Sequence, residues 1–199
     1  MKLKHLFKVI FSGITLPIQD GPLKGTKWCA TTSIRYIRGK YVKRDTDILT
    51  ENVGKDEIVY DIGAHAGYFS VLCSGIVGSE GKVYAFEPVP MNLLFLKKHI
   101  RINKCNNVKV FDICVSDKIG DASFDNTQGS ATGHLSPEGK LKVKVNTLDN
   151  LLASGEIHPP DFIKINAEGA EQSILEGCMK TIEKYPKIFN NFSRRGVKR

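Results

Sequence analysis

Asp61, Gly63 and Gly67 follow one another at intervals of two and four residues in VYDIGAHAGYFS (59–70), where an apolar run meets a turn. Glycine at such points lets the backbone bend sharply and lets a ligand come close, because no Cβ stands in the way. The helix that should begin after Gly67 presents unpaired N–H groups and the positive end of its dipole, which suit a carboxylate or a phosphate. Glu87 lies twenty residues beyond Gly67, at the end of a second apolar run, KVYAF (82–86). A carboxylate there can accept hydrogen bonds from both ribose hydroxyls of a nucleoside. Dinucleotide loops need a second glycine two residues after the first, to admit a pyrophosphate. This chain has His65 at that place, and its ring would crowd a pyrophosphate, so NAD or FAD is disfavoured. The structural alternative is a tight strand-to-helix turn with Asp61 as a local cap.

The form Asp-x-Gly-x-x-x-Gly resembles the S-adenosylmethionine loop of Rossmann-like methyltransferases. In that reading Asp61 holds the cofactor's ammonium or orders water beside it, while Gly63 and Ala64 pass along the cofactor. Longer blocks extend the likeness. VYAFEPVPMN (83–92), VNTLDNLL (145–152) and PDFIKINAEGAEQSILEGC (160–178) follow in order, preceded by GTKW (25–28) and YIRGKY (36–41). Together, over residues 25–188, they resemble the FkbM family of methyltransferases. The resemblance implies a Rossmann-like class I methyltransferase fold and methyl transfer from S-adenosylmethionine, usually to a hydroxyl oxygen of a sugar, polyketide or surface glycan. It also implies Asp61, Gly63 and Gly67 as the cofactor loop, Glu87 as the ribose clamp, and Asp117 (in CVSD) on the adenine side. An exposed turn residue is the other reading of Asp117.

Methyl transfer to oxygen is an in-line displacement, in which the protein aligns acceptor and methyl group and takes up the acceptor's proton. Ligands of parallel sheets lie beyond the carboxyl ends of the strands, where Lys164, Asn166 and Glu168 fall. Glu168 is the first candidate for a base or an acceptor-orienting group, with Asn166 and Lys164 beside it. Glu171 reads as a first-turn acid favoured by the helix dipole. His65 and His134 could also serve as bases, since an unperturbed imidazole titrates near neutrality, but each reads first as an ordinary loop residue. The family's usual Asp is Asn166 here; an amide keeps the shape of a carboxylate but cannot serve as a base near neutral pH.

The elements that must carry these residues alternate. Strands are expected over 57–62, 82–86, 108–115 and 161–165, and helices over 67–76, 92–102 and 170–182. Strand and helix in turn predict an α/β fold: βαβ units, a mostly parallel sheet with helices on both faces, and right-handed crossovers. Residues 118–146 are rich in turn formers and end in the alternating LKVKVN (141–146), which predicts a short antiparallel excursion. Thr147 should cap a short helix over 147–152. After YPKIF (185–189) the chain has only NNFSRRGVKR (190–199), so the last helix and hairpin of a class I methyltransferase sheet are expected to be missing. The expected organisation is a basic N-terminal extension and leading segment over 1–44, a methyltransferase domain over 45–189 and a basic tail over 190–199.

At 199 residues and 41% hydrophobic, the chain suits one domain with a real core and is short for two. Its net charge of +8 is unevenly spread. Residues 1–44 hold ten Lys/Arg against Asp20 alone, 184–199 hold six and no acid, and 45–183 hold 13 basic and 20 acidic residues. A mildly acidic body with two basic ends differs from a basic nucleic-acid-binding domain. The expected partner is a small-molecule or glycan acceptor, with no nucleic acid and a weak membrane-surface contact through the basic N-terminus. Cys29, Cys73, Cys105, Cys114 and Cys178 form no CxxC pair, so neither a metal site nor a disulfide scaffold is expected, and a reducing, cytoplasmic compartment is. The apolar stretch Val9–Ile18 is short of a membrane span and diluted by Ser12, Gly13 and Thr15. A shortened, non-catalytic relative is the competing reading, and a nucleic-acid methyltransferase a third.

Overall fold

The apolar runs become the strands of a parallel sheet. The computed structural model describes residues 10–39, 43–126, 133–167, 169–185 and 188–190. Its strands are β1 (Thr15–Pro17), β2 (Lys27–Cys29), β3 (Ile58–Ile62), β4 (Lys82–Phe86), β5 (Val108–Phe111), β6 (Cys114–Val115), β7 (Gly120–Asp125), β8 (His134–Leu135), β9 (Leu141–Asn146), β10 (Phe162–Ile165) and β11 (Ile188–Asn190). Its helices are α1 (Ile34–Ile37), α2 (Lys43–Asn52), α3 (Tyr68–Val77), α4 (Pro90–Ile102), α5 (Leu148–Ala153), α6 (Glu171–Glu176) and α7 (Met179–Lys184). The main sheet runs β11-β10-β3-β4-β5, with every neighbouring pair parallel.

Residue parity shows that both faces of this sheet are covered. Val59, Val83 and Phe162 pack with Val71 and Leu72 of α3 and with Trp28 and Leu49. Their neighbours Tyr60, Tyr84 and Ile163 point the other way and pack with Leu148 and Leu151 of α5 and Ile174 of α6. A strand buried on both faces has no polar side to alternate with, which is why 58–62 and 82–86 read as short continuous runs rather than as amphipathic strands.

Two expected elements divide. The strand expected over 108–115 leaves the main sheet after Phe111, which pairs with Phe86; Cys114 and Val115 then pair with Val145 and Asn146 in a second sheet. That sheet, ordered β6-β9-β7-β8, contains the antiparallel excursion, with β9 and β8 both antiparallel to β7. The helix expected over 170–182 breaks between α6 and α7. Gly177 lies so near the Ser116 carbonyl that a Cβ would come within 1.9 Å of its oxygen. Asp149, on α5, caps the second piece by accepting from the N–H groups of Lys180 and Thr181 and from the Thr181 hydroxyl. Thr147 caps α5, its hydroxyl accepting from the Asn150 N–H.

The leading segment is built into the core. Trp28 is fully buried and stacks on His99 of α4 at 3.6 Å. His99 accepts from the Cys29 N–H through Nε2, and its Nδ1 meets the Ala66 carbonyl at 2.7 Å. Asn103, just past α4, pairs with both backbone groups of Lys27. All five cysteines are buried and none is in a disulfide. Among the described residues no helix is long and apolar enough to cross a membrane.

Candidate active site

A cavity of about 100 Å³ opens where the chain leaves β3, β4 and β10 at their carboxyl ends, bounded on its outer side by the second sheet. Gly63, His65, Glu87 and Asn166 supply its polar groups, while Phe86, Val89, Ile113, Val115 and Phe124 give it apolar walls. Carboxyl ends of parallel strands are where such sheets hold ligands.

The turn at Gly63 is forced by the sheet itself. Gly63 has φ of +72°, and a Cβ there would come within 2.0 Å of the Asn166 carbonyl oxygen. The Gly63 and Ala64 N–H groups both reach the Phe86 carbonyl, which closes the turn over the end of β4. His65 holds φ of +51°, a backbone region that side chains other than glycine seldom occupy. Its N–H donates to Glu87 Oε2 at 2.8 Å, and its Nδ1 lies 3.2 Å from the Tyr36 hydroxyl. Gly67, φ +88°, begins α3 with Leu96 against it.

Glu87 is the carboxylate at the cavity, and it is 4% exposed. Its Oε1 accepts from the Val89 N–H and the Asn92 amide. With the His65 bond this makes three donors, and a carboxylate has sites for about four, so capacity for one more remains. Burial pushes its carboxyl above the ordinary range, while these donors and Lys164 pull the other way.

Several residues singled out from the sequence sit elsewhere. Asp61 is fully buried, with Lys164 Nζ on Oδ1 at 2.7 Å and the Ser70 hydroxyl on Oδ2 at 2.6 Å. Lys164, expected beside the acceptor, is 2% exposed; it also donates to the carbonyls of Ile62 and Gly63 and lies over the Phe69 ring. The pair forms the floor of the loop and does not line the cavity. Ala64 packs against Ala85, Leu93 and Leu96. Asp117 is exposed, accepts from the Ser116 hydroxyl and stands outside the lining. Asn166 lines the cavity; Glu168 lies outside the described residues. His134 is exposed on β8. Sequence reasoning passed over Ser70, Tyr36 and Phe124, none of which carries a local signal. Among the described residues no three His, Cys, Asp or Glu side chains gather as a metal site.

A glycine turn after a central parallel strand, an acid closing the next strand and a cavity above both belong to an α/β protein with the class I methyltransferase fold. The chain belongs to the FkbM methyltransferase family: the Methyltransferase FkbM domain matches residues 61–192. The crystal structure of methyltransferase FkbM from Methylobacillus flagellatus KT shares the fold, with a TM-score of 0.51 at 20% identity over 68% of this chain and 33% of that one. Hexuronic acid methyltransferase AglP of Haloferax volcanii is 28% identical over 152 residues, covering 75% of this chain and 61% of the relative. The 2-O-methyltransferase NoeI of Sinorhizobium fredii is 20% identical over 69% of this chain and 64% of its own. The chain thus spans less than two thirds of the length of these curated relatives.

Proposed function

We propose that the protein is an S-adenosylmethionine-dependent methyltransferase that methylates a hydroxyl oxygen of a sugar, a glycan or another small molecule. The observation that carries this reading is Glu87, a buried carboxylate with capacity for another donor, set at a cavity with apolar walls. The residues present suit the cofactor. Glu87 would hold a ribose hydroxyl, Ile113, Val115 and Phe124 would flank the base, and Gly63 with Asn166 would border the amino-acid end. At about 100 Å³ the cavity is smaller than the ~300–1,000 Å³ of typical ligand sites, so binding requires its walls to move outward. The family relationship adds the reaction class, and relatives named for a hexuronic acid and for 2-O-methylation point to a sugar acceptor.

The cofactor, when bound, supplies an electrophilic methyl group beside a sulfonium. The chain's own residues then have three tasks. Lys164, anchored on Asp61, fixes the loop from below by donating to the carbonyls of Ile62 and Gly63. Asn166 orients the acceptor, because its amide can donate and accept but cannot take up a proton near neutral pH. His65, an ionisable residue on the cavity wall, receives the acceptor's proton, its ring held by Tyr36. Glu168 stands as a second candidate for that task by its place after β10.

Calorimetric titration with S-adenosylhomocysteine tests the cofactor half directly. The wild-type chain should bind, and Glu87→Ala should bind about tenfold more weakly, through loss of a hydrogen bond to a charged group. Equal affinity for the two proteins would remove Glu87 as the clamp. Absence of binding by a well-folded wild-type chain would remove the methyltransferase reading.

A further inference from the structure

We infer that Glu171, and not Asp61, receives the α-ammonium of the cofactor; this rests on the methyltransferase reading above. A cation entering a cavity away from water needs a carboxylate that is not already neutralised. Asp61, the residue that loop spacing offers, is spent: Lys164 holds one oxygen, Ser70 the other, and the side chain is 1% exposed. Glu87 already meets three donors. Glu171 differs from both. It is 6% exposed, and its Oε1 is shut off from solvent without a hydrogen-bond partner.

Among the described residues only one other buried side-chain atom is in that position, Trp28 Nε1, a donor within the apolar core of the leading segment. Glu171 adjoins the proposed site without itself lining it. Its neighbour Ala170 and its i+3 partner Ile174 both line the cavity, so Glu171 stands at the margin of the lining face of α6. Gly63, Asn166 and Ala170 line the cavity, with Gly63 against the Asn166 carbonyl, whereas the walls at Ile113, Val115 and Phe124 suit a flat base. A buried carboxylate oxygen without a donor is costly in the ligand-free protein. An ammonium supplied by the ligand would satisfy it, and the outward movement needed to admit the ligand would also bring Oε1 within reach.

The test compares two probes that share an adenosine and differ in the amino acid. S-Adenosylhomocysteine carries the ammonium, and 5′-methylthioadenosine lacks it. Calorimetry with the full chain should show that Glu171→Gln weakens S-adenosylhomocysteine about ten- to a hundredfold while leaving methylthioadenosine within about twofold. N-Acetylated S-adenosylhomocysteine, which has no positive charge, should bind wild type and Glu171→Gln alike. Glu171→Ala, which buries no polar atom, gives the same comparison if the amide unfolds the chain. Unchanged S-adenosylhomocysteine affinity in a folded variant would overturn the assignment and favour a role toward the acceptor's hydroxyls. An equal loss for both probes would overturn it in favour of a structural role. A wild-type chain that binds neither probe would overturn the methyltransferase reading and this assignment with it.

Discussion

Lys164 is the residue whose role the structure changes most. Its side chain, in a residue 2% exposed, is held by Asp61 and by two loop carbonyls, so it acts as a strut beneath the loop that follows β3. Lys164→Met keeps the length of the side chain and leaves Asp61 charged and buried without its counter-ion. Breaking one side of a buried pair costs about 3–5 kcal/mol, and urea unfolding should show a loss of that order. A loss below 1 kcal/mol would mean that Asp61 finds another partner or takes up a proton. The sequence displayed both residues but not their contact, because they are 103 positions apart and meet only when β10 pairs with β3 in the register that sets Lys164 opposite Asp61. The placement of Glu87 and Gly63 at the cavity was legible for the opposite reason: it follows from position at a strand end, which the local pattern fixes. Glu171 is the intermediate case, visible as a first-turn acid, while the missing partner of Oε1 is a property of packing.

At the level of elements, α4 carries the joint between the leading segment and the loop. His99 sits in its last turn, fully buried, bonded to Cys29 on one side and Ala66 on the other. Burial lowers its pKa from the usual 6.5 to about 4, with Lys98 adding to the effect and the Ala66 bond opposing it. The unfolded chain therefore binds a proton that the folded chain refuses between those two values. Stability from this source is complete above pH 6.5 and declines as the pH falls toward 4, by about 3 kcal/mol in all. Urea unfolding measured at half-unit steps should show that slope, and His99→Gln should flatten it. The order of strands and helices was legible because short apolar runs bounded by turn residues have few other outcomes. The breaks at 112–113 and 177–178 were not, since each arises where one segment meets another: β6 pairing with β9, and Gly177 against the Ser116 carbonyl.

For the whole molecule, charge and core tell different stories. The basic excess of residues 1–44 suggested an appendage, yet Ile18, Leu23, Trp28, Tyr36 and Ile37 from that stretch are among the most buried residues in the protein. Long cationic side chains keep their heads in water, so a segment can be strongly basic in composition and still supply one wall of the core. Through Tyr36 and His65 that wall also touches the proposed site. The five buried thiols, spread over the leading segment, α3, the turn before β5, β6 and the break before α7, have a practical consequence. Burial pushes the Cys114 and Cys178 thiols up to about 12, so almost no thiolate exists near neutral pH and alkylating reagents must wait for the chain to open. Modification followed by mass spectrometry would then act as a set of clocks, one per region. Cys114 borders the cavity, so adding S-adenosylhomocysteine should slow its clock severalfold while Cys178, outside the lining, keeps its own time.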